Sequence, residues 1–139
     1  MDDREQNKIM LIREFRSQLV GFLDELIEQF PNEGDFVLIR IFIRDQVPMA
    51  DVLGRFIRDI LPVQHQVKSR NERFFLDNTI LYTGASVGAQ KVNHFKQIWL
   101  SDQLDDNDRE VVWKWMDLFN AIANKYEKMF GAVPGWERK

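Results

Sequence analysis

DDNDREVVWKWMDLFNAIANKYEKMF, residues 105–130, is the stretch that decides the fold. Its apolar side chains recur every three or four residues and so line one face of a helix, at Val112, Trp115, Phe119, Ile122, Tyr126 and Met129. Asp105 and Asp106 are candidate N-caps, and Gly131 followed by Pro134 marks the end. The pattern predicts a helix of about 25 residues, long enough at about 37 Å to give the other elements a surface to pack on.

Composition narrows the class of protein. The chain has 139 residues, of which 45% are hydrophobic, so by length it forms one domain with a sizeable core. It contains no cysteine, which excludes disulfides and thiolate metal ligands and fits a reducing setting. Its start, MDDREQNK, does not resemble a secretory signal, and no apolar run approaches the roughly 18 residues of a membrane span. We therefore expect an intracellular protein that does not enter a membrane.

The rest of the chain is also predicted to be helical. Apolar periodicity predicts helices over residues 6–30, 48–61 and 86–100, and Asn71 is a candidate cap for a short helix over 72–77. Residues 36–43 are apolar enough for a strand, but the i,i+4 spacing of Arg40 and Arg44 and the lack of a partner strand favour a helix. TGASVGA, residues 83–89, is predicted to be the mobile loop.

These elements predict an all-α fold. We expect a compact bundle of five or six helices packed around the long C-terminal helix, forming a single domain over residues 1–139. Residues 1–5 and 131–139 are predicted to be irregular tails.

No pattern in the sequence indicates catalysis. The acidic residues around position 105 lack the glycine and the twelfth-position glutamate of a calcium loop, and an acidic helix N-terminus explains them better. His65 and His94 have no second ligand at the i+4 spacing. Ser86 lies in GASVG (84–88), which matches GxSxG, but that motif requires a strand before the serine and this chain is predicted to be helical throughout. We predict a protein that is not an enzyme and has no catalytic, cofactor or metal site.

Basic residues are concentrated between positions 40 and 73. They are Arg40, Arg44, Arg55, Arg58, Lys68, Arg70 and Arg73. On one surface they would give salt-dependent, sequence-independent binding to nucleic acid. The alternative is that they form ion pairs with the interleaved acids Asp35, Asp45, Asp51, Asp59 and Glu72.

Two tryptophans are candidate contacts for a partner protein. Trp113 lies toward the border of the apolar stripe, with Arg109 and Asp117 as its i±4 neighbours. Tryptophan is enriched among residues that dominate protein–protein binding, although helices on both sides of the long helix would bury Trp113 instead. Trp136 in the tail either folds back over the core or remains available as a contact residue.

Three stretches resemble one family of proteins. They are FLDELIEQFP (22–31), NERFFLDN (71–78) and HFKQIWLSDQLDDNDREVVWKWMDLFNAIANKY (94–126). They are similar to short all-helical proteins of large nucleocytoplasmic DNA viruses that infect algae and protists. The resemblance rests on hydrophobic spacing and the Trp-Lys-Trp signature. It implies a viral protein in the host cytoplasm or in the virion, and it carries no catalytic or binding residues to transfer.

We therefore expect a non-catalytic helical protein that binds a protein partner or itself, acting in the viral replication factory or as a virion component. Its partner surface would include Arg109, Trp113, Asp117 and Trp136. The alternative is a nucleic-acid-associated protein that uses the basic residues between positions 40 and 73.

Overall fold

The computed structural model describes residues 3–45, 47–78 and 89–137. Its helices are α1 (Asp3–Gln29), α2 (Gly34–Asp45), α3 (Met49–Asp59), α4 (Gln64–Lys68), α5 (Glu72–Asp77), α6 (Ala89–Leu100) and α7 (Asp106–Phe130), with a 3-10 turn at Leu61–Val63. The described residues contain no strand, so the all-α prediction is confirmed, including the choice of helix for residues 36–43. Nearly all of the predicted loop TGASVGA lies outside the described residues.

Helix α7 begins and ends where its sequence predicts. Asp105 is the N-cap and forms a capping box: its carboxylate accepts from the Asp108 amide at 2.8 Å, and the Asp108 carboxylate accepts from the Asp105 amide at 3.0 Å. Gly131 follows the last turn with a φ of 76°, a conformation that favours glycine. Asn71 caps α5 as predicted, because its side chain accepts from the Phe74 amide at 3.1 Å.

The largest group of buried side chains joins α1, α3 and α7. We call it the central cluster, and its buried members are Leu11, Phe15, Met49, Leu53, Ile57, Leu61, Phe119, Ile122, Ala123, Tyr126 and Val133. A second cluster joins the end of α1 to α2 and α6 through Phe30, Phe36, Ile98 and Leu104. A third joins α4, α5 and α7 through Val67, Phe75 and Trp113. Helix α7 thus packs against neighbours on two faces, which explains its central position.

The two predicted tails differ in outcome. Helix α1 begins at Asp3, so residues 3–5 are helical and the prediction of an irregular tail there is wrong. Acidic residues in the first turn, Asp3 and Glu5, favour this early start because they lie at the positive end of the helix dipole. Residues 131–137 contain no helix, as predicted, but they pack on the core, because Val133 is buried in the central cluster.

Candidate functional site

Trp113 lies in the core of the structure. Its side chain is only 9% exposed and its ring centroid is 5.7 Å from that of Phe75 and 5.6 Å from that of Trp99. The Arg70 guanidinium lies 6.0 Å from the same ring. Helices α4 to α6 therefore cover this side of α7, and the burial removes the basis for assigning Trp113 to a partner surface.

The neighbours of Trp113 on α7 also serve intramolecular contacts. Arg109 donates from Nε to the Trp99 carbonyl at 3.0 Å and from Nη2 to the Ser101 carbonyl at 3.2 Å, which satisfies carbonyls at the end of α6. Asp117 accepts from Arg70 Nη1 at 3.0 Å and Nη2 at 2.8 Å. Trp136 packs elsewhere, on α3. The structure does not bring these residues together as one partner surface.

Arg70 holds the turn between α4 and α5 against α7. Its guanidinium forms paired hydrogen bonds with Asp117 and also with Glu110, whose closest oxygen lies at 2.8 Å. These bonds, first to Asp117 and then to Glu110, raise the pKa of Arg70 above its ordinary value. Arg70 itself adopts a φ of 54°, which is uncommon for a residue other than glycine. The arrangement is a structural clamp made of residues from distant parts of the chain.

The other candidate nucleic-acid contacts are also engaged in ion pairs. Arg40 pairs with Asp24 of α1, Arg73 with Asp77 at 3.1 Å, and Arg44 with Asp45 at 3.9 Å. Both Arg55 and Arg58 pair with one carboxylate, Asp59, at 3.5 and 2.9 Å.

The hydrogen bond from Arg58 is the main reason that the pKa of Asp59 lies below its ordinary value. The predicted partners Asp45 and Asp59 are confirmed, whereas Asp24, Asp77, Glu110 and Asp117 were not predicted. Lys68 lines a groove between α4 and α7. Six of the seven basic residues thus carry a carboxylate partner, which leaves little free charge for phosphates.

A groove of about 500 Å³ runs between the N-terminal half of α1 and the last turns of α7. We call it the α1–α7 groove, and it is lined by Asn7, Met10, Leu11, Arg13, Glu14, Ser17, Lys125 and Met129. Met10 is 65% exposed and Met129 is 40% exposed, although Met129 was expected on the apolar stripe of the long helix. Two large apolar side chains therefore face solvent across one concave surface.

Met10 was not predicted as a contact residue, but the sequence does contain a signal for it. Ile9, Ile12 and Phe15 define the apolar face of α1, and Met10 lies about 100° away from Ile9 around the helix. A large apolar residue off the buried stripe indicates either a second packing surface or a contact with another molecule. In this structure it lines the α1–α7 groove.

The second groove, of about 330 Å³, is lined mainly by residues with polar or charged side chains. It lies between α4 and α7 and is lined by Gln64, Lys68, Arg70, Asp117, Asn120, Ala121 and Asn124. The Gln64 and Asn124 amides bond to each other at 3.2 and 2.7 Å. Asn120 is only 4% exposed, and neither its amide nitrogen nor its oxygen has a partner among the described residues.

An exposed apolar face also occurs on α2. Val37, Leu38 and Ile41 share this face, and Leu38 is the most exposed of them at 63%. Unlike Met10 and Met129, they belong to a single helix and line neither of the two grooves described above.

Other kinds of site are not evident in the part of the chain that the structure describes. There, no group of three or more His, Cys, Asp or Glu side chains is placed to bind a metal ion. His94 instead bonds to Glu33 through Nε2 at 2.8 Å, which connects α6 to the start of α2. Within residues 3–45, 47–78 and 89–137, no helix combines the length and apolarity that crossing a membrane requires.

Comparison with known proteins identifies no relative: no protein-family model, curated protein or solved structure matches the chain.

Proposed function

We propose that the protein is a non-catalytic protein–protein interaction protein and that it binds a helix of its partner in the α1–α7 groove. The observation that carries this proposal is the exposure of Met10 and Met129 on opposite sides of the groove. Burying one such side chain stabilises a complex by about 1.5–3 kcal/mol before the losses of association are subtracted. Both methionines together with Leu11 would form the apolar centre of the interface.

The shape of the groove favours a helical ligand. Its walls are two long helices, and a third helix can place a row of side chains between them at i, i+3, i+4 and i+7. Methionine suits such a surface because its unbranched side chain adapts to different partners. We therefore propose that the partner contributes an amphipathic helix whose apolar face contacts Met10, Leu11 and Met129.

The charges that line the groove set the orientation of that helix. Arg13 and Lys125 are basic and Glu14 is acidic, so the lining carries a net positive charge. A partner helix with acidic residues beside its apolar face would place them near Arg13 and Lys125. Such pairs, at the exposed rim of an interface, contribute more to orientation and association rate than to affinity.

The cellular setting belongs to the same proposal. The resemblance of residues 22–31, 71–78 and 94–126 to proteins of large nucleocytoplasmic DNA viruses supports a role in the viral replication factory or in the virion. Immunogold labelling of infected cells and purified particles would test it. If the label lies only on host structures, and neither in the viral factory nor in the particles, the result would contradict a viral role.

The binding proposal is tested by capture of partners from cells that naturally contain the protein, followed by quantitative mass spectrometry. Met10→Glu and Met129→Glu should each reduce the captured amount of the partner at least tenfold, because each places a charge in the apolar centre of the groove. Leu38→Glu on α2 is the matched control, since Leu38 is as exposed as Met10 but lies outside the groove.

The capture experiment distinguishes binding in the α1–α7 groove from binding on the exposed face of α2. Loss of the same protein with both methionine variants, and its retention with Leu38→Glu, would support the groove. Loss with Leu38→Glu alone would assign binding to α2 and contradict the proposal. Thermal unfolding of all three variants provides the control for folding. We expect changes of no more than about 0.5 kcal/mol for Met10→Glu and Leu38→Glu, whose sites are mostly exposed, and of about 1 kcal/mol for Met129→Glu, because Met129 is only 40% exposed.

A further inference from the structure

Two polar bridges join α7 to α4 and to the turn after α4. Arg70 in the turn donates to Asp117 at 2.8 and 3.0 Å. Gln64 and Asn124 form a reciprocal pair of amide hydrogen bonds at 3.2 and 2.7 Å. Asp117 and Asn124 are spaced i, i+7 on α7, so they share one face of that helix. Both bridges line the groove of about 330 Å³ between α4 and α7, which we call the α4–α7 groove.

Asn120 lies on α7 between the two bridges and lines the same groove. Its side chain is 4% exposed, and neither Nδ2 nor Oδ1 has a partner among the described residues. Between Gln64 and Arg70, the buried side chain of α4 is Val67, which has no group that could bond to an amide. A buried amide of this kind destabilises a folded protein unless another molecule supplies its hydrogen bonds.

The positive charge that the groove offers to a ligand is that of Lys68. This lysine is exposed and has no carboxylate partner in the part of the chain that the structure describes. By contrast, all three nitrogens of Arg70 already donate to acceptors of the chain, at Val67, Glu110 and Asp117. Because the lining contains two basic residues and one acidic residue, its net charge is positive and favours an anion.

We propose that the α4–α7 groove binds a small molecule that carries both a primary carboxamide and a carboxylate. The carboxamide pairs with Asn120 as Gln64 pairs with Asn124, each amide donating from its nitrogen and accepting at its oxygen. The carboxylate accepts from Lys68, whose flexible side chain adjusts to the length of the ligand. The groove is separate from the α1–α7 groove, so the inference does not depend on the function proposed above.

The size and lining of the groove restrict the ligand further. Its volume of about 330 Å³ corresponds to roughly ten water molecules, which suits a small metabolite. A nucleotide also combines an anion with adjacent donors and acceptors, but nucleobases are usually stacked on aromatic rings. None of the described residues that line this groove is aromatic. The lining therefore favours an aliphatic carboxamide.

The Gln64–Asn124 pair controls access to Asn120. Because Asn120 is buried, a ligand reaches its amide only after a neighbouring side chain moves. The Gln64–Asn124 pair is exposed, and an exposed pair of hydrogen bonds exchanges readily with water. Arg70 is held by two carboxylates and does not open as easily. We therefore expect the ligand to enter beside Asn124.

The proposal is tested by titrating the ¹⁵N-labelled protein with succinamate, which has one carboxamide and one carboxylate. A ligand this small is expected to bind with a Kd on the order of 1 mM, so the titration extends to about 10 mM. We expect saturable shifts of the Asn120 side-chain amide. Succinate lacks the amide and butyramide lacks the charge, so each should bind at least about fivefold more weakly.

Three substitutions identify the residues responsible, with the backbone amide of Ala121 as the common probe. Asn120→Leu should abolish the shifts without unfolding the protein, because it removes only unpaired polar atoms. Lys68→Met should weaken binding at least about fivefold. Lys114→Met is the matched control, since Lys114 is an exposed lysine of α7 outside the groove, and it should not alter the Kd.

The outcomes that would overturn the proposal are equally specific. They are the absence of saturable shifts with succinamate, the retention of those shifts in Asn120→Leu, and an equal loss of binding in Lys68→Met and Lys114→Met. Tighter binding of uridine 5′-monophosphate than of succinamate would overturn the assignment to a carboxamide. If Asn120→Leu is unfolded by circular dichroism, Asn120→Ala replaces it, because alanine also lacks the amide and favours the helix.

Discussion

Replacing Tyr126 by phenylalanine should stabilise the protein. The Tyr126 side chain is 0% exposed within the central cluster, and its hydroxyl has no hydrogen-bond partner among the described residues. A buried hydroxyl without a partner loses its bonds to water and costs about 1–3 kcal/mol. Phenylalanine keeps the ring and removes the hydroxyl, so we expect the free energy of unfolding to rise by about 1–2 kcal/mol.

The pH dependence provides a second measurement on the same variant. Burial, with a smaller effect of the negative charge on Glu5, raises the pKa of Tyr126 above its ordinary value of 10.0. Above pH 10 the unfolded state loses this proton before the folded state does, so stability falls as pH rises from that point toward the folded pKa. Tyr126→Phe has no such proton, and its advantage over the natural chain should therefore widen above pH 10.

Urea denaturation at pH 7 and at several values above pH 10 measures both effects, provided that the slope with denaturant is the same in the two proteins. Tyr126→Leu is the control for packing, because it removes the ring as well as the hydroxyl and should destabilise by about 2 kcal/mol or more. If Tyr126→Phe lowers the free energy of unfolding by more than about 0.5 kcal/mol, the hydroxyl has a stabilising partner and the reasoning is refuted.

Three further substitutions test individual contacts by the same denaturation assay. Asn120→Leu should raise the free energy of unfolding by about 1–2 kcal/mol, since both polar atoms of the buried amide lack partners; a decrease would show that they are satisfied. Arg70→Met should lower the free energy of unfolding by about 1–2 kcal/mol. A double-mutant cycle with Asp117→Asn should give a coupling energy of only about 0.5–1 kcal/mol, because Asp117 is partly exposed and solvent screens its charge. Asp105→Ala should lower the free energy of unfolding by about 1 kcal/mol through loss of the capping box, and an unchanged value would show that the box does not stabilise the helix.

Local chemistry explains why the helix ends could be predicted from sequence. Asp105 and Asn71 act on amides three residues away, and Gly131 acts on its own backbone. Such signals are complete within one turn, so they remain valid whatever packs around them. The early start of α1 was missed because a frayed or formed first turn has weak local signals.

The position of Trp113 could not be predicted by the same means. Trp113 and Trp115 are two residues apart, about 200° around the helix. Trp115 packs toward α1, where its Nε1 donates to Glu25 at 2.8 Å, and Trp113 packs toward Phe75 of α5. A periodic pattern identifies one apolar stripe on a helix. A helix with neighbours on two faces has two apolar stripes, and the second is recognised only once the positions of the other helices are known.

Gly54 illustrates a limit of a different kind. Within α3 a glycine only weakens the helix, and its neighbours offer no reason for it. The reason is Trp136, which is 82 positions away in the chain and contacts the site where a side chain would be. The candidate groove has the same character, since Met10 and Met129 lie at opposite ends of the sequence. Residues that form such a surface from distant segments have no fixed spacing in the sequence, so no sequence motif identifies them.

The arginines show why a cluster in sequence does not predict a charged surface. Arginine makes the same forked hydrogen bonds to phosphates and to carboxylates, so its function depends on which acid folds beside it. For Arg40 that acid is Asp24 of α1, and for Arg70 the acids are Glu110 and Asp117 of α7. A phosphate would have to displace two carboxylates from Arg70 and release the turn that they hold against α7, so Arg70 is poorly available to a nucleic acid.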